Sequence, residues 1–261
     1  MEEKRLSWYE RLVIWICNFF DDLTDNLIIL VFVVIFLTGV YFVADSTYVF
    51  LDASLDLIRA RQAEVDSVEE VLGELTEDAV AWISIDGTSI DYPIMHCDNN
   101  EKYLNLNPYG EYSLAGSIFL DFRNYGDFSD PYMLLYGHHM THGYMFGALD
   151  QFENEEFFNT HTRGVLTYNG REYELYIFAF AIFDAMDEHI FDPTYDPEGT
   201  REYIEDRMIY HRTPTGYPIL ALSTCRDPGD TSRTLVFTEV IGMGDTELER
   251  LDADRGAENA S

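Results

Sequence analysis

Leu27 to Ala44 reads LIILVFVVIFLTGVYFVA, 18 residues without a charge. At ~1.5 Å rise per residue such a run is about 27 Å long as a helix, close to the hydrocarbon thickness of a bilayer. A buried core helix usually carries a polar stripe, and this run has none. A cleaved signal peptide has a shorter apolar stretch, about 7–15 residues, followed by a small-x-small site. Ala44-Asp45-Ser46 is a poor version of such a site. The run therefore reads as an uncleaved, single-pass membrane anchor. Lys4, Arg5 and Arg11 precede it, and Arg59 and Arg61 follow at a distance. This bias points to a cytoplasmic N-terminus and a C-terminal bulk outside. The aromatic, amphipathic stretch Trp8 to Phe20 suits the cytoplasmic interface.

The charge of the remainder excludes one large class of partner. The 261 residues hold 48 acidic and 16 basic side chains, a formal charge of −32. Phosphates would be repelled by such a surface, so nucleic acid is not a partner. The chain is not an acidic disordered protein either, because 47% of it is hydrophobic and 15% aromatic, enough to build a core. Three basic and six acidic residues precede residue 45, which leaves −29 on the part beyond the anchor.

Hydrophobic periodicity divides that part further. Leu51, Leu55 and Ile58, then Val65, Val68 and Leu72, recur at helical spacing and predict helix over residues 46–78. From Ala79 the pattern changes to short β-like runs: 81–85, 90–95, 116–121, 132–137, 165–168, 173–183, 218–224 and 233–241. Asp86-Gly87 and Asn169-Gly170 are turn signals between them. Helical patches fall at about 144–152 and 199–211. Many short strands with turn signals indicate a barrel or sandwich rather than a parallel sheet. The expected organisation is a cytoplasmic amphipathic segment over 1–26, the anchor over 27–44, a helical stalk over 45–78, a β-rich main domain over 79–243 and an acidic disordered tail over 244–261.

Three groups carry candidate chemistry. Cys225 ends the apolar run Ile219-Leu-Ala-Leu-Ser-Thr-Cys225, where a strand hands over to a loop. It reads as an exposed nucleophile, a buried core cysteine, or half of a disulfide with Cys97. A cysteine nucleophile needs a base or cation beside it. Tyr136-Gly-His-His-Met-Thr-His142 supplies three histidines just past another apolar strand. His138 and His142 have the i, i+4 spacing of a zinc site, but His139 stands where a zinc protease needs Glu, and Gly137 favours a loop. The alternatives are a Cys/His pair brought together from two strand ends and an exposed polar loop. Arg233 opens the strand after the Cys225 loop. Its rigid charged fork suits a carbonyl or a developing oxyanion, if its strand neighbours that of Cys225.

Together these features resemble the sortase family of bacterial cysteine transpeptidases, class B in particular. Leu222-Ser-Thr-Cys225 matches that family's cysteine motif, with Ala221 in place of its usual Thr. Gly137-His138 and Arg233 match its other two motifs. The segments Trp82 to Pro93, Tyr112 to Asn124 and Tyr136 to Met140 followed by Met145-Phe146 are similar to class B signatures. The resemblance covers about Ala79 to Ile241.

It implies an α+β, mainly β fold: a closed eight-stranded barrel with N-terminal helices and a helix-bearing insertion, residues 185–217, before the Cys225 strand. It implies Cys225 as nucleophile, His138 as proton donor to the leaving amine and Arg233 as oxyanion and backbone holder, with Ser223 and Thr224 as groove contacts. The implied partners are the sorting signals of surface proteins, and a peptidoglycan-precursor amine or pilin lysine as acceptor. No cofactor or metal is implied, and no loop has the spacing of an EF-hand. Alternation along the strand puts Ala221, Ser223 and Cys225 on one side, so the Ala221 departure is expected to alter the groove. A pilin-polymerising enzyme is one alternative. A non-catalytic membrane-tethered module with Cys225 disulfide-bonded to Cys97 is the other.

Overall fold

The computed structural model describes residues 7–62, 68–197, 199–225 and 231–243. The acidic tail over 244–261, residues 63–67 of the expected stalk and most of the loop after Cys225 lie outside the described residues. Contacts divide the chain into two units, residues 1–51 and 52–261.

Helix α1 runs unbroken from Trp8 to Gln62, so the expected interfacial stretch, the anchor and the start of the stalk belong to one helix. Within it, Leu23–Ala44 is long and apolar enough to cross a membrane, 22 residues with no side-chain burial in the protein. At ~1.5 Å per residue that length reaches about 33 Å. The hydroxyl of Thr38 donates to the Val34 carbonyl at 2.8 Å, so this polar group is satisfied within the helix, as a lipid environment requires. A short helix α2 (Val68–Glu74) follows.

Among the described residues nine strands come next: β1 (Ala79–Ile85), β2 (Asp91–Met95), β3 (Ile118–Leu120), β4 (Tyr132–Tyr136), β5 (Arg163–Tyr168), β6 (Arg171–Asp184), β7 (Tyr210–His211), β8 (Ile219–Cys225) and β9 (Ser232–Ile241). The order β5-β1-β2-β3-β4-β8-β9-β6 is closed by a β5–β6 pairing, which makes an eight-stranded barrel. The two-residue β7 hangs on the outside of β6 through Ala179↔His211 and Phe180↔Tyr210. The β5–β6 hairpin turns at Asn169 and Gly170, both with positive φ (48° and 73°), the geometry that an Asn-Gly pair favours. Between β4 and β5 lie two 3-10 segments and helix α3 (Glu155–Thr160). Between β6 and β8, the insertion carries α4 (Glu188–Phe191) and α5 (Thr200–Glu205).

Closure of the barrel removes the sheet edges that an open sheet of this length would expose. The core has two layers. Ile83, Ile94, Leu135, Leu220, Leu222, Val236 and Phe180 fill the interior. The opposite faces of β4, β6, β8 and β9 are also apolar, and Tyr132, Leu134, Ala221, Leu235 and Phe237 pack there against Ile190 of α4 and Ile204 of α5. These four strands are covered on both sides, which is why their sequences are nearly continuous apolar runs rather than alternating ones.

The two-sided cover corrects the expectation for Ala221. Its side chain is fully buried in the outer layer beneath the insertion. The alternation that places it with Ser223 and Cys225 is right, but the insertion covers the strand at 221 and uncovers it only at its end. The helical expectation for 199–211 also overshoots: α5 ends at Glu205, and Tyr210–His211 pair with β6.

Candidate active site

Three strand ends meet at one rim of the barrel. β4 runs parallel to β8, with Tyr136 beside Ser223. β8 runs antiparallel to β9, with Thr224 opposite Thr234 and Cys225 opposite Arg233. The sequence condition on Arg233 is thus met, because its strand is the direct neighbour of the cysteine strand. A cleft of about 340 Å³ opens at this rim, and Cys225, His138, Arg233, Ser223 and Thr224 all line it.

His138 enters the cleft because the chain turns sharply after β4. Gly137 donates its N–H to the Ser223 carbonyl at 3.2 Å and accepts from the Thr224 hydroxyl at 2.9 Å. A Cβ at Gly137 would come within 2.4 Å of the Ile118 side chain and 2.8 Å of the Phe146 ring, so only glycine fits. The His138 carbonyl then accepts the Phe146 N–H at 3.1 Å. Thr224, a candidate groove contact, thereby spends its hydroxyl on locking the turn that presents the histidine. Ser223 and Thr224 are both almost fully buried.

The His138 ring is oriented by the main chain. Its Nε2 lies 2.8 Å from the carbonyl oxygen of Leu104. A carbonyl only accepts, so Nε2 carries the proton and Nδ1 is the nitrogen left for proton traffic. The reach of that carbonyl depends on Gly116, which has φ +60° and whose Cβ would sit 2.7 Å from the Leu104 oxygen. His139 and His142 take no part. His139 Nε2 pairs with Asp150 Oδ2 at 2.6 Å, and His142 lies in a 3-10 turn with φ 62°. The i, i+4 helical spacing needed for zinc is therefore not formed. Among the described residues, no group of three His, Cys, Asp or Glu side chains is placed to hold a metal.

Cys225 is exposed, and its thiol and that of Cys97 are both free. The Cys97 Sγ instead lies 3.1 Å from the Asn99 carbonyl. This removes the disulfide on which the non-catalytic alternative rests.

The rest of the lining comes from residues that sequence reasoning did not single out: Asn100, Leu104, Phe119, Tyr136, Ala185 and Phe191. The Phe119 and Tyr136 rings pack tilted by 34°, with centroids 5.4 Å apart. Behind them sits a fully buried carboxylate, Asp121. It accepts from Arg123 Nε and Nη2, both at 2.8 Å, from Asn100 Nδ2 at 2.9 Å and from the Tyr136 hydroxyl at 3.0 Å. Burial alone would push the Asp121 carboxyl up, but the Arg123 fork, the Arg123 N–H and Asn100 outweigh it and hold it below its usual range. Burial, reinforced by the Asp121 charge, pushes the Tyr136 phenol up, so this phenol remains a donor. Nothing in the local sequence around Asn100 or Phe191 marks these residues, since only the fold brings them to the cleft.

An exposed thiol, an oriented imidazole and a guanidinium around one cleft at the end of a closed barrel are the groups that cysteine acyl transfer uses. The protein-family comparison agrees: residues 83–241 match the Sortase domain, and the chain belongs to the sortase family of cysteine transpeptidases. Within that family its relatives are class B. It is 36% identical over 162 residues to Sortase B of Listeria monocytogenes, a match covering 59% of this chain and 65% of that protein. Among solved structures, it is similar to a Streptococcus pyogenes class B sortase involved in pilus biogenesis (36% identity, TM-score 0.59, 66% of this chain and 96% of that one). It is also similar to the Staphylococcus aureus sortase B-substrate complex (27% identity, TM-score 0.59, 76% and 95%).

Proposed function

We propose that this chain is a membrane-anchored cysteine transpeptidase, which cleaves the C-terminal sorting signal of surface proteins and transfers them to an amine of the cell wall. The observation that carries this reading is that Cys225 faces Arg233 across the last register pair of β8 and β9, while His138 leaves the adjoining strand into the same cleft. In the first half-reaction the Cys225 thiolate attacks the carbonyl carbon of the scissile amide. Arg233 stabilises the oxyanion that forms. The C–N bond breaks as the His138 imidazolium gives its proton to the departing amine, leaving a thioester on Cys225 and a neutral imidazole. In the second, an acceptor amine attacks the thioester and passes its proton to His138, and the thiolate leaves, restoring the starting charges. The Leu104 carbonyl holds the ring through both halves.

Leu23–Ala44 is the anchor in this reading, with the N-terminus cytoplasmic and the barrel outside, where surface proteins and wall amines are found. A second reading changes only the acceptor, to a pilin lysine. What favours it is the 36% identity to the Streptococcus pyogenes enzyme involved in pilus biogenesis. The test is to incubate the full chain in detergent with a library of sorting-signal peptides and either a wall-type amine or a pilin lysine. Cleavage is expected with the parent and essentially none with Cys225→Ala or His138→Ala. Full cleavage by Cys225→Ala would sink the mechanism, and the productive amine decides between the two acceptors.

A further inference from the structure

The insertion that walls the cleft is tied to the barrel at a buried ion pair that the chemistry at Cys225 does not use. Asp121 follows β3 and is fully buried. Arg123 holds it with two parallel hydrogen bonds, both 2.8 Å, and with its own N–H at 3.0 Å. The same guanidinium reaches across to the insertion. Nη2 also donates to the Phe191 carbonyl at 2.5 Å, and Nη1 lies 3.2 Å from Asp192 Oδ2. Phe191 is the last residue of α4 and lines the cleft. On the other side of the carboxylate, Asn100 and the Tyr136 hydroxyl donate to Asp121 Oδ2, and both residues line the cleft. Asn100 is fixed further by the Phe122 N–H, which donates to its Oδ1 at 2.9 Å.

We propose that the Asp121–Arg123 pair is a positioning element for peptide binding, holding three separate parts of the cleft wall (Asn100, Tyr136 and Phe191) at one spacing. This rests on the transpeptidase reading of the cleft. The three residues come from a loop, a strand end and the insertion, and no backbone ladder links them. Asp121 is the common acceptor of the first two, and Arg123 carries its charge on to the third. A bidentate Arg–carboxylate pair suits the task because its fork geometry fixes direction as well as distance. Neither side chain lines the cleft, so the pair acts through the residues that it holds. Its loss should loosen substrate binding before it affects the thiol.

The experiment compares the full chain in detergent with Asp121→Asn, Arg123→Gln and Arg123→Lys, and with Glu239→Gln as a control. Glu239 is also fully buried and paired with an arginine, Arg201. It also accepts from Thr215 and Gly216, and none of these partners lines the cleft. Peptide KM, kcat, the rate of Cys225 alkylation by iodoacetamide and amide exchange over residues 188–192 are measured. Asp121→Asn and Arg123→Gln are expected to raise KM by roughly tenfold or more with kcat little changed. Alkylation should stay at the parent rate and exchange over 188–192 should rise. Arg123→Lys, which keeps the charge but not the fork, should fall between. Glu239→Gln should lower the melting temperature without moving KM. Parent-level KM in Arg123→Gln, or a fall in alkylation parallel to the loss of turnover, would overturn the proposal. A parent chain that cleaves no peptide would defeat the transpeptidase reading instead. The clamp would then stand or fall on the exchange of 188–192, which unchanged protection in Arg123→Gln would refute.

Discussion

Cys225 and Arg233 are register partners, the final pair of the antiparallel ladder between β8 and β9. Side chains directly opposite in such a ladder lie on the same face of the sheet. Cys225 and Arg233 therefore share a face because of strand pairing, not because of the conformation of the loop that joins them.

This pairing predicts how Arg233 variants behave. Arg233→Ala should reduce kcat/KM for a sorting-signal peptide by about 10²–10³, the usual effect of removing an oxyanion donor. Arg233→Lys should recover little, since an ammonium lacks the rigid fork. Alkylation of Cys225 should persist in both. Parent-level turnover in Arg233→Ala would end the oxyanion assignment while leaving the nucleophile in place.

Gly116 offers a test of the histidine from a distance. A Cβ there would stand 2.6 Å from the Tyr103 oxygen and 2.7 Å from the Leu104 oxygen, on a backbone with φ +60°. Gly116→Ala must push the Leu104 carbonyl away from His138. We expect reduced kcat and, in ¹⁵N spectra taken at a pH where the imidazole is neutral, loss of unique protonation at Nε2. A spectrum identical to the parent's would mean that the carbonyl does not select the tautomer.

The strands and the Cys/His/Arg placement were legible in the sequence because they rest on local signals. Apolar runs, an Asn-Gly turn and motif residues at run ends all survive without tertiary information. What was not legible depends on pairing between distant segments. Tyr210–His211 form a strand only because β6 offers an edge to them. Asn100 and Phe191 reach the cleft through Asp121 and Arg123, which are more than 60 residues from Phe191 in the chain. Ala221 illustrates the boundary between the two cases. Period-two alternation gave its face correctly, but what covers that face is set by the insertion.

Ala221→Thr, which restores the hydroxyl usual in the family, should therefore act on stability rather than on the cleft. The site is fully buried between Leu134 and Phe237 in the sheet. Adding heavy atoms to such a packed layer costs about 1–3 kcal/mol. Urea unfolding should show the loss, with peptide KM unchanged. A shifted KM at unchanged stability would return Ala221 to the groove.

Acid should weaken the fold through Asp121. Its carboxyl is held below the usual range in the folded protein, so its stabilising contribution is complete above the unfolded value of about 3.9. The contribution disappears as pH falls through the lower folded value. The difference in urea midpoint between the parent and Asp121→Asn should be constant near neutrality and shrink only below about pH 4. A difference that shrinks between pH 7 and 5 would contradict the depressed carboxyl.

The double burial of β4, β6, β8 and β9 bears on how such an enzyme can change its specificity. The insertion is both a wall of the cleft and the cover over a hydrophobic floor, with its own Ile190 and Ile204 fully buried against that floor. It is therefore not an interchangeable module. A graft of this segment from a relative would have to bring the matching outer faces of four strands with it, so new substrate preferences in this lineage are more accessible by point changes at the rim than by loop exchange.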